Sequence, residues 1–470
     1  MGSGGRNAFR SVPFRSVLAV SLLLGVAAVA AGPSAAQESS AARDKQPIVL
    51  PARPYAEEEI QRIIASDLEF RQKSGLRADR AHVDALVRAH DYTKSVPKFL
   101  IAATPEEDAE LELRNTLRAE VGALGKELAE LKGSDFGGSY VDPQTGRVVV
   151  WSVGNRLSRP EVERRVSHPA RLELRHARYS QAQLESVTRD VAGLFVQLQA
   201  EGFAVSGVGT DLFTNSVQLL VDADGDQEQL RQRLGKELDP QMFTFIVGLA
   251  EPSGDLHGGT DWDPPGVAAA GTKGFDAYQA GTWLIYALTA GHLSVNTVTF
   301  AGHTMHRAAT LFANNSTTDV AAFHMQPTNL EYWNHNSGYV WHGDPSILIG
   351  VSGWDHIGNP YNDQVGAQVC MSGHLPVWRK CGYITMLNRY VTYQHWSFGT
   401  RNIWVRQANY PCADGNSGGP VWGWSWPTAR AVGTQSGQGF SELESLCWYT
   451  HLDNALYPWG LTDVIKYWDS

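Results

Sequence analysis

A serine in a glycine-rich turn and a histidine that ends an apolar run are the two residues best suited to chemistry. Ser417 lies in the sequence Gly-Asn-Ser-Gly-Gly-Pro at residues 415–420, and His292 ends Leu-Thr-Ala-Gly-His at residues 288–292. Such a turn lifts the hydroxyl into a cleft while nearby backbone N–H groups point at one spot, and an imidazole can take the hydroxyl proton. The pattern predicts Ser417 as nucleophile, His292 as base, and the N–H groups of Gly415 and Ser417 as the oxyanion hole.

An acid is needed to orient the base, and Asp319 is the best candidate. It opens the stretch Thr-Asp-Val-Ala-Ala-Phe at residues 318–323. An aspartate at the start of an apolar strand is expected to be tethered and partly buried, which suits a group that stabilises an imidazolium. Asp344, Asp355 and Asp363 lie in turn-like surroundings with Gly and Pro, so they are weaker candidates.

Short strands are the elements that must position these groups. Alternating or apolar runs recur through residues 257–470, with Gly, Asn, Asp and Pro between them. This pattern predicts an all-β barrel or sandwich, and only residues 458–468 look helical. The predicted strands cover residues 282–289, 295–300, 318–325, 346–351, 364–371, 382–387, 401–405, 421–424 and 430–434.

Composition divides the chain into three segments. Three arginines, an apolar run and small residues predict a secretory signal peptide at residues 1–36, and hence an exported protein without a membrane span. Residues 37–256 hold 62 charged residues in 220 positions, against 23 in 214 for residues 257–470. We therefore place a domain boundary at residue 256. Both parts are mildly acidic, which argues against a nucleic-acid partner.

Helix and strand are mixed in residues 37–256. Thr104, followed by proline and acidic residues, predicts the start of a helix that continues to residue 131. Residues 57–71 and 181–201 also look helical. Residues 136–151 and 205–221 each give strand, Asp-containing turn and strand, which predicts an internal repeat of hairpins. This part is therefore predicted to be α+β, with two hairpin-containing subdomains.

Cys370, Cys381, Cys412 and Cys447 are the four cysteines of the chain. An even count in an exported protein predicts two disulfides, and three pairings are open. We favour Cys370–Cys381 and Cys412–Cys447, because each joins near neighbours across a hairpin or loop. A zinc site is the competing interpretation, but the chain has no Cys-x2-Cys spacing.

Four further histidines could suggest a metal: His303, His306, His324 and His335. Two histidines three residues apart in a strand-rich region do not reliably share a face. We interpret them as solvated surface residues, and predict no metal and no cofactor.

Residues 257–470 resemble the secreted bacterial chymotrypsin-like serine proteases of the streptogrisin and alpha-lytic protease type. The resemblance is carried by residues 288–292, 318–321 and 415–420, by the cysteines, and by the chain order His, Asp, Ser. It implies an all-β double β-barrel, with the catalytic residues at the junction of two six-stranded barrels. The predicted C-terminal helix would follow the second barrel.

The resemblance also assigns a substrate strand and a pro-region. Ser436, Gly437 and Gln438 occupy the place of the strand that pairs with the substrate backbone. Residues 37–256 resemble the family's pro-region, which acts as an intramolecular folding catalyst and then as an inhibitor until it is removed. Removal requires a cut that we expect between Leu249 and Gly274.

Three departures from the family pattern stand out. Asn416 replaces an aspartate that the family pairs with a buried cation, so the charge is gone. Gly271 and Leu293 stand where the family has a disulfide beside the catalytic histidine. Residues 329–361 add length and aromatic side chains without a role that the sequence explains.

The expected function is that of a secreted, monomeric serine endopeptidase, made as a zymogen and acting on protein or peptide substrates through an acyl-enzyme. The alternative is a catalytically inactive homologue that binds peptides or carbohydrate on its aromatic surface. Residues 415–419 also fit the Gly-x-Ser-x-Gly elbow of α/β-hydrolases. That fold needs an acid and then a histidine after the serine. Only His451 follows, Asp453 and Asp463 come after it, and no strand–helix alternation surrounds the motif.

Overall fold

The computed structural model describes most of the chain after residue 47. The described residues are 48–51, 53–222, 225–252, 272–279, 284–293, 296–300, 303–324, 339–341, 348–359, 361–373, 380–395, 399–413, 415–440 and 445–466. All of them belong to one compact unit, Lys45–Ser470. The predicted signal peptide therefore lies outside the described residues. Among those residues, no helix has the length and apolar character that crossing a membrane requires.

The described part of the chain is mostly β-sheet, with helices concentrated before residue 252. The helices are α1 (Glu57–Ser74), α2 (Arg80–Ala89), α3 (Pro105–Lys132), α4 (Arg159–Glu163), α5 (Gln181–Ala200), α6 (Gln227–Leu234) and α7 (Asp453–Leu456). The strands of the amino-terminal half, residues 48–252, are β1 (Ile48–Val49), β2 (Phe136–Val141), β3 (Val148–Val153), β4 (Leu172–Ala177), β5 (Val205–Asp211), β6 (Ser216–Val221), β7 (Phe243–Val247) and β8 (Leu249–Pro252). Those of the carboxy-terminal half, residues 272–466, are β9 (Asp276–Gln279), β10 (Ile285–Thr289), β11 (Thr297–Phe300), β12 (His303–Leu311), β13 (Val320–His324), β14 (Tyr339–Trp341), β15 (Leu348–Trp354), β16 (Gln368–Met371), β17 (Lys380–His395), β18 (Gly399–Ala408), β19 (Pro420–Ser425), β20 (Thr428–Phe440), β21 (Ser445–His451) and β22 (Leu461–Val464).

Helix α3 begins where the sequence predicts. The Thr104 hydroxyl accepts a hydrogen bond from the Glu107 backbone N–H, and the Glu107 carboxylate accepts one from the Thr104 N–H. This reciprocal cap satisfies two N–H groups that a helix start otherwise leaves unpaired. The predicted helices at α1 and α5 are also confirmed, to within three residues at each end.

The predicted hairpin repeat is confirmed, and each hairpin gains a third strand. β2 pairs antiparallel with β3, and β5 pairs antiparallel with β6. Helices α4 and α6 then cross over, and β4 and β7 add in parallel to β3 and β6. Parallel neighbours need such a crossover connection. Both copies of the repeat are therefore strand–strand–helix–strand units.

The strands of the described residues form three sheets. The largest has thirteen strands in the order β1-β15-β20-β19-β16-β17-β5-β6-β7, with β8, β14, β18 and β21 attached to it. The second is β11-β12-β13-β10-β9-β22, and the third is β2-β3-β4. All nine predicted strand runs overlap strands between β10 and β20.

The predicted C-terminal helix is wrong over the described residues. A short 3-10 helix at Tyr457–Trp459 is followed by Gly460 with φ of +64°, and then by strand β22. A left-handed glycine ends a helical turn, because few other residues adopt that conformation without strain. Leu461 and Val464 are buried, and β22 pairs with β9. Burial of these two side chains at the sheet edge therefore outweighs the helical spacing of apolar residues that predicted a helix here.

The two halves of the chain are joined by strand pairing at three separate edges. β1 pairs with β15, β5 pairs with β17, and β8 pairs with β20, each time antiparallel. β15 belongs to the 329–361 stretch, whose role the sequence left open. Strand β15 of this stretch therefore pairs with a strand of the amino-terminal half, β1.

Two glycines of β5 make room for Arg389 of β17. A Cβ atom at Gly209 would lie 2.9 Å from Arg389 Cδ, and one at Gly207 would lie 3.1 Å from Arg389 Nε. Arg389 is fully buried, and its Nη1 donates to Gln218 Oε1 at 2.9 Å. Burial lowers the pKa of Arg389 to about 9. The glycines of the second hairpin thus form a contact between the halves.

The amino-terminal half also covers an apolar face of the carboxy-terminal half. The ring of Tyr383 on β17 lies 5.7 Å from the ring of Phe70 and 5.5 Å from the guanidinium of Arg118. Its hydroxyl lies 2.6 Å from Ser74 Oγ. Side chains of both halves share this core, among them Phe70, Val96, Phe99, Leu100, Ile101, Val340, Ile349, Val351, Tyr383, Trp422, Ala429 and Ala431. Apolar packing is therefore continuous across the predicted boundary at residue 256.

Candidate active site

Strand pairing brings His292 and Asp319 together. β10 ends three residues before His292, and β13 begins one residue after Asp319. The two strands are antiparallel neighbours, with Thr289 opposite Ala321. The end of one strand and the start of the other therefore meet at the same edge of the sheet, and both side chains project there.

His292 lies between Asp319 and Ser417 in a hydrogen-bonded series. Its Nδ1 is 2.7 Å from Asp319 Oδ2, and its Nε2 is 2.8 Å from Ser417 Oγ. The backbone N–H of His292 also donates to Asp319 Oδ1 at 2.7 Å. All three residues are buried. With Nδ1 protonated and held by the carboxylate, Nε2 is left as an acceptor for the serine hydroxyl.

Asp319 has further partners that fix its carboxylate and its backbone. Ser436 Oγ donates to Asp319 Oδ2 at 2.5 Å, and the backbone N–H of Asp319 donates to Thr450 Oγ1 at 3.1 Å. Tyr393 completes the series, because its hydroxyl lies 3.1 Å from Ser436 Oγ. Burial and the nearby Asp319 charge raise the pKa of Tyr393 far above its ordinary value. The phenol therefore stays protonated and can donate to Ser436.

The turn that carries Ser417 is held from one side by Thr272. The Thr272 N–H donates to the Ser417 carbonyl at 2.6 Å, and its hydroxyl donates to the Gly415 carbonyl at 2.7 Å. Gly415 and Gly418 have φ of +81° and +89°, in the region that favours glycine. At Gly418, a Cβ atom would also lie 1.9 Å from Thr289 Oγ1. Glycine is therefore required on both sides of the nucleophile.

Gln435 holds the same turn from the other side. The Gly418 N–H donates to its carbonyl at 2.8 Å, and its own N–H donates to the Gly419 carbonyl at 2.9 Å. The Gln435 side chain accepts from the Tyr410 hydroxyl at 2.6 Å and donates to the Gly437 carbonyl at 2.8 Å. One buried glutamine thus connects the nucleophile turn to the predicted substrate strand.

Asn416 is fully buried beside the nucleophile. Neither atom of its side-chain amide has a hydrogen-bond partner among the described residues. Its Oδ1 lies so close to Gly373 that a Cβ atom there would be 2.1 Å away. Its backbone carbonyl accepts from the Gly419 N–H at 2.9 Å. The described structure therefore holds Asn416 by packing and backbone bonds.

Both disulfides are present with the predicted pairing. Cys370 and Cys381 lie opposite each other on β16 and β17. Cys412 and Cys447 tie the segment before the Ser417 turn to β21. Among the described residues, no group of three or more His, Cys, Asp or Glu side chains is arranged to hold a metal ion; His335 lies outside those residues.

The predicted substrate strand, Ser436 to Gln438, lies in β20 and is already paired. Gly437 is opposite Pro252 of β8, and Gln438 is opposite Glu251. A Cβ atom at Gly437 would lie 2.2 Å from the Tyr393 hydroxyl and 2.6 Å from the Glu251 carbonyl oxygen. The end of the amino-terminal half thus occupies the edge that was predicted to bind substrate.

The weaker acid candidates lie in other interactions. Asp355 accepts a hydrogen bond from Arg430 Nε at 3.0 Å, and Asp363 accepts one from Arg406 Nε at 2.9 Å. Asp344 lies outside the described residues. Of the four aspartates considered, Asp319 is therefore the one that the described structure brings to His292.

Several supporting residues carry no signal in the sequence. Thr272, Gln435, Thr450 and Tyr393 are common residue types outside any motif. Ser436 was predicted only to bind substrate, whereas its side chain also contacts Asp319. Long-range pairing of strands and loops brings these groups to the site, and a single sequence does not reveal that pairing.

No protein-family model and no curated protein matches this chain, but several solved structures are similar to part of it. Protease A of Thermobifida fusca is 18% identical over 42% of this chain and 91% of its own, with a TM-score of 0.32. A Nocardiopsis protease is 22% identical over 44% of this chain and 98% of its own, with a TM-score of 0.33. A glutamic acid-specific serine protease with a histidine triad in substrate binding is 21% identical over 42% of this chain and 93% of its own, with a TM-score of 0.33.

Proposed function

We propose that this chain is a serine endopeptidase that is made as an inactive precursor. The observation that carries the proposal is the buried series Asp319–His292–Ser417, in which each donor–acceptor distance is 2.8 Å or less. These three groups, linked in this order, are the ones that general-base activation of a serine hydroxyl requires.

In the proposed reaction, Ser417 Oγ attacks the carbonyl carbon of a peptide bond while His292 Nε2 accepts the hydroxyl proton. Asp319 keeps its bond to Nδ1–H, which fixes the ring and stabilises the imidazolium. The N–H groups of Gly415 and Ser417 bind the oxyanion, and each such donor typically lowers the barrier by about 3–4 kcal/mol. His292 returns the proton to the leaving amine, and water hydrolyses the acyl-enzyme by the same route.

The pairing of β8 with β20 supports inhibition of the precursor by its own amino-terminal half. β8 runs antiparallel to β20, so its carboxyl end at Pro252 is nearest to Ser436 and Asp319. A peptide substrate that adds to this edge would compete for the same strand. Residues 37–256 are therefore assigned as pro-region, with roles as inhibitor and folding catalyst.

We expect the precursor to be cut between Pro252 and Thr272. Residues up to Pro252 pair with β20, while Thr272 is bonded to the nucleophile turn and belongs with the enzyme. Amino-terminal sequencing of the processed protein should therefore give a first residue between 253 and 272. A mature protein that begins before residue 253 or after Thr272 would contradict this assignment.

The proposal extends to the architecture and setting of the enzyme. It includes two β-barrels of the streptogrisin type, export directed by residues 1–36, and a monomer that acts on protein or peptide substrates. The two disulfides support export, since disulfides persist mainly in oxidising compartments.

A fluorophosphonate probe tests the proposed nucleophile directly. The processed protein should be labelled once, on Ser417, and the Ser417→Ala precursor should stay unlabelled and uncut. The full chain with Ser417→Ala should keep the circular-dichroism spectrum of the unprocessed wild type, which separates loss of the nucleophile from loss of the fold. An unlabelled wild type would favour the inactive peptide- or carbohydrate-binding homologue.

A further inference from the structure

Two buried arginines lie at the junction between the two halves of the chain. Arg118 on α3 is 3% exposed, and its guanidinium lies over the Tyr383 ring of β17, 5.5 Å from the ring centre. Arg389 on β17 has no exposed surface, and its side chain lies over Gly207 and Gly209 of β5. Each half therefore contributes one arginine, and residues of the other half lie against it.

Neither guanidinium has a full set of hydrogen bonds. In both residues the Nε and Nη2 atoms have no hydrogen-bond partner among the described residues. Each Nη1 atom donates to a neutral side-chain amide, Arg118 to Asn115 Oδ1 and Arg389 to Gln218 Oε1. Two of the three nitrogen atoms of each guanidinium are therefore buried without a partner in the described structure.

Arginines in the interior of each half are paired with carboxylates. Arg114, one turn before Arg118 on α3, donates from Nε to Glu110 at 2.8 Å and from Nη1 to two backbone carbonyls of the same half. In the carboxy-terminal half, Arg406 donates to Asp363 from Nε at 2.9 Å and from Nη2 at 3.1 Å. The two arginines at the junction are therefore less well satisfied than these interior arginines.

Burying these guanidinium groups at the junction costs free energy. Removal of water from a charged group is unfavourable unless an ion pair and hydrogen bonds offset it. Burial lowers the pKa of Arg118, and it lowers the pKa of Arg389 to about 9. Asp211 favours the Arg389 charge, but its carboxylate accepts hydrogen bonds from the Phe213 N–H and the Thr214 hydroxyl. Separation of the halves uncovers both guanidinium groups and lets water bind them.

We propose that Arg118 and Arg389 weaken the junction, so that the amino-terminal half leaves the enzyme after the chain is cut. This inference rests on the proposed function as a peptidase made as a precursor. The cut alone does not free β20, because three strand pairs and a shared apolar core still hold the halves together. The two arginines oppose these contacts, and departure of β8 then opens the edge of β20.

The test uses the full chain with Ser417→Ala, which cannot digest the amino-terminal half after its release. A small amount of wild-type enzyme makes the cut and is then blocked with the fluorophosphonate. Size-exclusion chromatography over a dilution series gives the protein concentration at which half of the complex has separated. Adding Arg389→Met should lower this concentration tenfold or more, because methionine fills a similar length without a charge that must lose its water.

A second variant and a matched control complete the test. Arg118→Met alters the other half of the chain and should also lower the concentration, so it provides the test if Arg389→Met is not recovered folded. Tyr383→Phe is the control on β17. It removes a hydroxyl that lies 2.6 Å from Ser74 Oγ across the same junction, so it should raise the concentration severalfold.

The inference and the proposed function fail in different ways. If the methionine variants separate at the concentration found for Ser417→Ala alone, or above it, the arginines do not weaken the junction, while the peptidase stands. If the wild-type protein neither makes the cut nor reacts with the fluorophosphonate, the proposed function itself is excluded.

Discussion

Replacing Asp319 with asparagine should lower kcat by about four orders of magnitude while the fold persists. Three donors converge on this carboxylate: the ring Nδ1–H and backbone N–H of His292, and the hydroxyl of Ser436. An amide offers one acceptor and turns an NH2 group towards donors. The imidazole would then gain its hydrogen bond by placing the proton on Nε2, which could no longer accept from Ser417.

Self-processing provides the first measurement of this effect. Asp319→Asn precursor should remain at full mass where the wild type is cut, and a trace of wild-type enzyme should process it in trans. The kcat of the processed variant can then be compared with that of the wild type on a peptide p-nitroanilide that the wild type hydrolyses. Asp463→Asn is the matched control, because this carboxylate lies in the same half of the chain, pairs with Lys466 and accepts a hydrogen bond from the Tyr278 hydroxyl. Turnover of Asp319→Asn within tenfold of wild type would exclude Asp319 as the orienting acid.

The sequence was sufficient for the reacting groups because the chemistry imposes local patterns on them. A nucleophile turn needs glycines at fixed offsets, as Gly415 and Gly418 show through their positive φ. His292 and Asp319 could be assigned because each flanks an apolar strand, and neighbouring strands bring such ends together. Residue types and spacing alone carried that information.

Contacts between distant segments could not be predicted in the same way. Gly207 and Gly209 suggested only a strand, because the arginine that fills the space above them lies 180 residues later along the chain. The C-terminal helix failed for a related reason. Helical spacing can be read from the local sequence, whereas the pairing of β22 with the edge of β9 cannot. Thr272 and Gln435 acquire their roles only through long-range bonds to the nucleophile turn.

Residues 257–470 expressed alone should give no active enzyme. Without the amino-terminal half, β15, β17 and β20 each lose a strand partner, which leaves three unpaired edges. The apolar face around Tyr383 and Trp422 would also meet water. At roughly 25 cal/mol per Å2 of apolar surface, its exposure weakens the packed state against loosely collapsed alternatives.

Co-expression with residues 37–256 should restore activity, measured as p-nitroanilide turnover per milligram of protein. The Ser417→Ala full chain should fold without being cut, which shows that covalent attachment of the two halves is compatible with the native structure. Full activity of residues 257–470 on their own would exclude a folding role for the amino-terminal half.

Gly209→Val probes the contact between β5 and β17 without removing any segment. A Cβ atom at residue 209 would lie 2.8 Å from Met386 Sδ and 2.9 Å from Arg389 Cδ, so a branched side chain should push the two strands apart. The yield of active enzyme should fall severalfold. Gly193→Val in α5 is the matched control, because a Cβ atom there meets no other atom within 4 Å. If the two valine variants give equal yields, pairing of β5 with β17 does not guide folding, and the edges at β15 and β20 must suffice.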